Sequence, residues 1–302
     1  MKLIKQLLIL IVPLLVSMPL IGQIKVYNVE STIVREFEIG AKTYFSIITN
    51  KADIKVITTT EELIKITTVL SSKNENKQLA ENDLKLQKHI IHKKSNTISI
   101  VNYVEITNGG SKPTSNLQTT FIIEIPHSVI GEFKIKNNFG KIEFSNVAAK
   151  AIIESKFCPI TITNYEGSLK LDSYYGDVSL NNIEGKLALS TKHSKLNIEN
   201  HNGDFILKSS FSKINLININ PKQTSTIEDD HSEINLSQTC LSCNYILFDL
   251  EKSEFNFPST ATVSYSLKEE FKITGSLFNS KPTRIIDIKS NTGIVSLKAI
   301  SK

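Results

Sequence analysis

The stretch FCPITITNYEGSLKLDSY (157–174) runs directly into YGDVSLNNIEGKLALSTK (175–192), and the two align position by position at a spacing of 18 residues. The same period extends from Phe139 to Leu236, with a two-residue insertion before His231. Self-similarity at a fixed short period is typical of stacked-repeat architectures. Four columns recur in phase: one apolar (Ile142, Ile160, Val178, Leu196, Ile214, Ile234), a second apolar (Phe144, Ile162, Leu180, Ile198, Leu216, Leu236), one of asparagine (Asn146, Asn164, Asn182, Asn200, Asn218) and one aromatic or imidazole (Phe139, Phe157, Tyr175, His193, Phe211, His231).

Each repeat holds two short runs in which apolar and polar residues alternate, as in 167–173 and 175–180. Period-two alternation favours strands with one buried face. An Asn-x-x-Gly element separates the runs, and both residue types tolerate the left-handed backbone of tight corners. The sequence therefore predicts an all-β fold: a single-stranded β-solenoid, or β-helix, with coils of about 18 residues stacked about 4.8 Å apart. We expect the right-handed type, although the sequence pattern does not fix the handedness.

The columns acquire a physical meaning in such a solenoid, because residues of equal phase lie above one another. The aliphatic columns fill the interior, and the asparagine column forms a structural amide ladder. The aromatic column either stacks at a corner or closes one end of the interior. Removing a middle member such as Asn182 leaves two amides each short of one bond, so we expect it to cost about 1–3 kcal/mol, as for an unsatisfied buried polar group, and removing Asn218 at the end of the ladder to cost less.

The first 22 residues have the pattern of a secretory signal peptide: two lysines, then an apolar run over 7–16, then milder residues up to Gly22. An uncleaved membrane anchor is the alternative, because apolar character continues to Ile21. We expect cleavage near Gly22, which leaves no transmembrane segment and an exported protein. Its destination is the periplasm, the outer membrane or the extracellular space.

The remainder divides into two parts. Residues 23–138 are predicted to form a β-rich N-terminal part with early rungs and a short helical insertion near 74–89, where alternation lapses. Residues 139–302 are predicted to hold regular and then degenerate solenoid repeats. Within them, 285–297 is interpreted as the closing rung, since end coils must cover the core.

Charge and composition exclude one class of partner. The formal net charge of +5 falls to +3 without Lys2 and Lys5, and the remaining lysines are spread along the strands. That distribution indicates solvated outer faces and no nucleic-acid partner.

The motif Cys240-x-x-Cys243 is the sharpest local signal. In an exported protein we expect a disulfide between these cysteines; free thiols and a metal or redox site are the alternatives. Cys158 lies about four coils away, roughly 20 Å at one strand spacing per coil, which is too far for a shared site. We therefore predict no metal and no cofactor.

Catalytic groupings are also sparse. A glycosidase or lyase needs carboxylates clustered in a groove. The candidate acids share no single column, and the run Glu228–Asp230 places neighbouring side chains on opposite faces. His193 and His231 are separated by Phe211, so stacking is preferred to metal binding. We predict no catalytic residues. The acids considered are Asp172, Asp177, Glu184, Asp204, Asp229 and Asp230.

The chain resembles the bacterial putative-adhesin family of secreted or envelope β-solenoids. The resemblance rests on an early rung at 53–56, the strand and proline at 121–126, and recurring elements such as Tyr175-Gly176-Asp177-Val178. It implies a non-enzymatic, envelope-associated scaffold or adhesin-like binding surface. The partner it implies is an envelope or surface glycan or protein. The first alternative is a carbohydrate-active β-helix enzyme, a lyase or glycosidase, and the second is a periplasmic structural or stress-related protein with no ligand.

Overall fold

A computed structural model of the chain describes residues 25–39, 42–106, 111–128, 130–239, 244–277 and 284–298. These residues form strands throughout, apart from turns and one short helix. The predicted signal peptide lies outside the described residues, as do Cys240 and Cys243. Among the described residues, no helix has the length and apolar character needed to cross a membrane.

The described residues of the N-terminal part form eight strands and the helix. Their bounds are β1 Tyr27–Phe37, β2 Lys42–Asn50, β3 Ala52–Thr59, β4 Ile64–Asn74, α1 Lys77–Leu84, β5 Gln87–Lys94, β6 Thr97–Val104, β7 Asn116–Pro126 and β8 Ile130–Asn138. Helix α1 begins after Asn76, whose side chain accepts hydrogen bonds from the backbone N–H groups of Gln78 and Leu79. The helical insertion is present, but it ends earlier than predicted because β5 begins at Gln87.

The regular coils and the C-terminal part contain fourteen further strands among the described residues. The regular coils are β9 Ile142–Lys156, β10 Ile160–Tyr174, β11 Val178–Lys192, β12 Lys195–Asn202, β13 Phe205–Ser210, β14 Lys213–Asn220, β15 Thr224–Asp230 and β16 Glu233–Ser237. The C-terminal strands are β17 Tyr245–Glu251, β18 Glu254–Asn256, β19 Val263–Lys268, β20 Lys272–Leu277, β21 Ile285–Asn291 and β22 Ile294–Leu297.

The regular strands pair in parallel with a register of one repeat, which confirms the β-solenoid. Ile160 lies opposite both Ile142 and Val178, and Leu196 lies opposite Val178 and Ile214. The first apolar column is therefore one vertical file, as predicted. The first half of each coil builds one sheet and the second half builds the other, and the aliphatic columns are buried between them.

Each regular coil turns at two corners with left-handed backbone. Asn164 has a φ of 52° and Tyr175 a φ of 55°, and every other member of the two columns has a φ between 50° and 60°. At the asparagine corner the bend is so local that β9, β10 and β11 run through it as single strands of 15 residues. The sequence predicted two separate strands there.

Small polar side chains line the interior of the aromatic corner. Ser194 Oγ accepts a hydrogen bond from Gly176 N at 3.3 Å, and Ser212 Oγ accepts one from Ser194 N at 3.3 Å. Ser232 Oγ accepts the next from Ser212 N at 3.0 Å. Buried backbone N–H groups that the bend leaves without a strand partner are thereby satisfied.

Both ends of the solenoid are covered by antiparallel strands. At the N-terminal end β1 pairs with β4 and β5 pairs with β6; at the C-terminal end β19 and β20 pair beside β17. The predicted position of 285–297 as the closing rung is wrong. β21 inserts between β15 and β17, and β22 between β16 and β18, so the chain returns to fill an inner rung. Pairing order among degenerate repeats is a tertiary choice that a repeat pattern does not encode.

Candidate functional site

The aromatic column forms a continuous exposed stack at its corner, here called the aromatic ridge. Successive ring centroids lie 4.8–5.2 Å apart and the ring planes differ by 4–21°. Phe157 and Tyr175 are each 48 % exposed. Of the two placements that the sequence left open, the column therefore takes the corner. The ridge consists of Phe139, Phe157, Tyr175, His193, Phe211 and His231.

The ridge places aromatic side chains where the backbone disfavours them. A left-handed conformation costs roughly 1–2 kcal/mol for a residue with a Cβ, and asparagine and glycine are the residue types that visit it routinely. Ring stacking offsets this cost, since an aromatic pair contributes about 0.5–1.5 kcal/mol beyond its buried area. The rings face one another, so they present their edges to solvent. The ridge is therefore an apolar wall, and its ring faces are not available to a ligand.

A trough of about 560 Å³ runs beside the ridge on the outer face of the second sheet. Its floor is the backbone of a column of buried small residues that point into the interior: Ser155, Ser173, Thr191 and Ser209. The near wall, next to the ridge, consists of Asn138, Lys156, Tyr174, Lys192 and Ser210. The far wall consists of Lys136, Glu154, Asp172, Ser190 and Lys208.

The near wall carries an aromatic ring between two lysines on consecutive coils. Tyr174 lies opposite Lys156 on one side and Lys192 on the other. The Lys192 ammonium lies 5.4 Å from the centroid of the Tyr174 ring, and the Tyr174 hydroxyl raises the pKa of Lys192. Tyr174 in turn packs edge-on against the ridge, 5.1 Å from the Tyr175 centroid and 6.3 Å from that of His193. The ridge thus orients this wall.

The far wall carries the acids of the trough. Glu154 forms an ion pair with Lys136 at 3.8 Å, and it lies directly opposite Asp172 on the next coil. Lys208 forms an ion pair with Glu228 at 2.8 Å. This column was not predicted from the sequence, because Glu154 was not among the candidate acids. The same period of 18 residues, applied to polar positions, would have found it.

The asparagine column lies on the outer surface at the opposite corner. Asn164 Nδ2 donates to Asn146 Oδ1 at 2.8 Å, Asn182 Nδ2 to Asn164 Oδ1 at 3.0 Å, and Asn218 Nδ2 to Asn200 Oδ1 at 2.7 Å. The side chains of Asn164 and Asn182 are exposed. The energetic cost expected for a buried amide therefore does not apply at this corner.

Two titratable groups lie in the interior. His201 is buried, with Nδ1 3.1 Å from the Ile183 carbonyl oxygen, and burial lowers the pKa of its imidazole. Burial raises the pKa of the Cys158 thiol to about 11, so this free cysteine is unreactive at neutral pH.

The other acids considered in the sequence are occupied by local contacts. Asp229 is buried and accepts from Ser209 Oγ at 2.7 Å and from Ser290 Oγ at 3.2 Å, whereas Asp230 points outward to His231 at 2.8 Å.

Asp177 and Asp204 accept backbone N–H groups of the next coil, and Glu184 forms an ion pair with Lys222 at 3.6 Å. Within the described parts of the chain, no three His, Cys, Asp or Glu side chains are grouped so that they could hold a metal ion.

Comparison with known proteins gives one family. The profile of Toastrack DUF4097 matches residues 43–298. No curated protein matches the chain. A putative cell adhesion protein from Clostridium sporogenes aligns over 90% of this chain and 100% of its own, with 11% identity and a TM-score of 0.27. A putative adhesin from Bacteroides fragilis aligns over 89% and 97%, with 13% identity and a TM-score of 0.42. A putative lipid binding protein from Parabacteroides distasonis aligns over 89% and 97%, with 12% identity and a TM-score of 0.40.

Proposed function

This chain belongs to the Toastrack DUF4097 family, and from that premise we propose that it is a non-catalytic binding protein of the cell envelope whose ligand occupies the trough. The observation that carries the proposal is the trough itself, a concave polar channel along several coils with the aromatic ridge behind one wall. Ladders of parallel strands hold both walls in register, so the surface is pre-organised and little ordering opposes binding.

Export is part of the proposal and rests on the pattern of residues 1–22. Intact-mass measurement of the native protein should give a chain that begins near Gln23. A chain that retains Met1 and fractionates with the cytoplasm would contradict export. The same spectrum, taken with and without reductant, tests the proposed Cys240–Cys243 disulfide through the loss or gain of two hydrogens.

The roles of the two parts of the mature chain are likewise proposed. Residues 23–138 would cap the solenoid and supply its early rungs, and residues 139–302 would carry most of the trough. The asparagine column would be purely structural, because its amides bond to one another on the side away from the trough.

The test fills the trough without disturbing the core. Ser190→Trp places a large side chain on the far wall, where Ser190 is exposed. Ser179→Trp is the matched control, on the same strand but on the outer face of the other sheet, where Ser179 is also exposed. Immobilised protein is screened against envelope glycans and matrix proteins. We expect a polymer that binds wild type and Ser179→Trp but not Ser190→Trp. Equal binding by both variants would contradict a ligand site in the trough.

A carbohydrate-active enzyme is the second candidate, and one observation favours it. Glu154 and Asp172 lie opposite each other on neighbouring coils inside the trough, and glycosidases work with a pair of carboxylates. The discriminating measurement is the release of reducing ends from the bound polymer. The binding proposal expects no turnover by wild type. Turnover that is lost in Glu154→Gln and Asp172→Asn would establish the enzyme instead.

A further inference from the structure

We propose that the trough takes an extended acidic polysaccharide, with Lys156 and Lys192 binding acidic groups of the polymer. This inference rests on the proposed function and names the chemical class of its ligand. It is carried by the charges of the two walls, by their spacing and by the shape of the trough.

The charges of the trough favour an anion. Its lining contains four lysines against two carboxylates. Lys136 and Lys208 are already paired with glutamates, whereas Lys156 and Lys192 form no ion pair among the described residues. No carboxylate of the described chain neutralises these two ammonium groups, although Lys192 also contacts the Tyr174 ring. Asp172 is the one carboxylate of the lining without an ion pair in the described chain. A charge-assisted hydrogen bond from each ammonium is the strong contact available here.

The spacing of the two lysines suits a repeating ligand. They stand two coils apart on the same column, which is roughly 9.6 Å at one strand spacing per coil. An extended polysaccharide repeats its acidic group at a regular interval, and the parallel register repeats the positions of the lining at a regular interval as well. The lining spans five coils, from Lys136 to Ser210, or roughly 19 Å from end to end. That length accommodates several sugar units, and a single small anion would use only a fraction of it.

The shape argues against a flat anionic partner. A lipid surface would rest on the tops of both walls and on the ridge, and would leave the floor between the walls uncovered. The ring edges of the ridge are only about half exposed and project at the corner, so they do not form a face for insertion. A polymer that enters the trough contacts both walls at once, with Tyr174 between the two lysines as an apolar contact for the sugar ring.

The experiment uses polygalacturonate as the probe and its methyl-esterified form as the uncharged probe of matched shape. The protein carries Lys156→Gln and Lys192→Gln together. The charge-matched control carries Lys170→Gln and Lys186→Gln, two exposed lysines of β10 and β11 that do not line the trough. We expect wild type and control to bind polygalacturonate, the trough variant to bind about tenfold more weakly or worse, and the esterified polymer to bind no better than the trough variant does. Added salt should weaken binding by wild type more than binding by the trough variant.

Four outcomes overturn the inference. Equal weakening by the control variant would mean that net charge alone attracts the polymer. Equal affinity for the esterified polymer, with binding still blocked by Ser190→Trp, would leave the trough as the site and refute its acidic ligand, so the proposed function would survive. Binding to anionic vesicles that Lys156→Gln and Lys192→Gln abolish, with no binding to polygalacturonate, would replace the polysaccharide by a membrane. If no screened ligand shows binding that Ser190→Trp weakens, the proposed function is contradicted as well.

Discussion

The two corners of the solenoid share one backbone conformation and differ in nearly everything else. Asn182 at one corner and Tyr175 at the other have φ values of 54° and 55°. The asparagine corner uses a side chain that tolerates this conformation and links exposed amides in a ladder. The aromatic corner uses side chains for which this conformation is energetically costly, and it stacks them beside the trough.

This difference distinguishes corner residues that serve the backbone bend from corner residues that have a further role. If the bend alone mattered, asparagine or glycine would suit both corners. The rings at the aromatic corner do something further: Tyr175 and His193 pack against Tyr174 and hold it in the near wall. We infer that the asparagine corner serves the fold and the aromatic corner serves the binding face. The following predictions test that division, beginning with the largest effect.

Gly185→Ala should be the most damaging change. Gly185 closes the asparagine corner with a φ of +126°, and a Cβ there would lie 1.9 Å from the Gly167 carbonyl oxygen of the preceding coil. Because stacked backbones cannot move apart locally, we expect a loss of about 3 kcal/mol or more in the free energy of unfolding. Urea denaturation followed by circular dichroism measures it. Lys186→Ala, one residue along, is the control and should stay within about 0.5 kcal/mol of wild type.

Tyr175→Ala removes a ring from the middle of the ridge. Two stacked contacts are lost, to Phe157 at 5.1 Å and to His193 at 4.8 Å, and the left-handed backbone remains. We expect a loss of about 1–3 kcal/mol. Tyr175→Gly should recover about 1 kcal/mol of this, because glycine relieves the backbone cost. A glycine variant no more stable than the alanine variant would show that the left-handed conformation costs nothing at this corner.

Asn182→Ala should cost about 1 kcal/mol, less than the change at the aromatic corner. The alanine keeps the left-handed backbone without the tolerance of asparagine, and the exposed amide bond to Asn164 contributes little in water. Asn182→Gly should lie within about 0.5 kcal/mol of wild type. The same denaturation experiment compares both variants with the Tyr175 pair. A loss above about 3 kcal/mol for Asn182→Gly would mean that the ladder, and not the backbone, holds this corner.

The smallest effect at neutral pH concerns His201, which follows the asparagine corner and points into the core. Burial lowers the pKa of its imidazole. As the pH falls below the ordinary histidine pKa of about 6.5, His201 therefore binds a proton in the unfolded chain and remains neutral in the folded chain. The contribution of neutral His201 to the free energy of unfolding is complete above that pH. It is lost as the pH falls towards the lowered pKa of His201 in the folded chain.

His201→Ile, which matches its column neighbours Ile183 and Ile219, should flatten the dependence of unfolding free energy on pH in this window. Ile183→Val, which changes the packing of the same buried column without removing a titratable group, serves as the control and should leave the dependence unchanged. An unchanged slope in His201→Ile would contradict the assignment of the proton to His201.

Much of the fold could be predicted from the sequence, because a parallel solenoid repeats its chemistry at a fixed interval. Ile160 and Leu196 were placed in one file by spacing alone, and the β-helical architecture followed. The inner position of β21 could not be predicted, since Ile285 and Ile288 fit any degenerate rung equally well. The trough was missed for a different reason. Its walls are columns of mixed residues, such as Lys156, Tyr174 and Lys192, and only the three-dimensional structure shows that they enclose a channel.

The most direct test of the two-corner account compares ligand binding by one variant from each corner. Tyr175→Asn installs the residue of one corner in the other, and Asn182→Gly removes the amide where the account gives it no part in binding. The measurement is the affinity for the polymer that distinguishes Ser190→Trp from Ser179→Trp, with each variant confirmed as folded. The account predicts that Asn182→Gly binds like wild type and that Tyr175→Asn binds more weakly, because Tyr174 and Lys192 lose their support. Wild-type affinity in Tyr175→Asn, or an equal loss in Asn182→Gly, would contradict it.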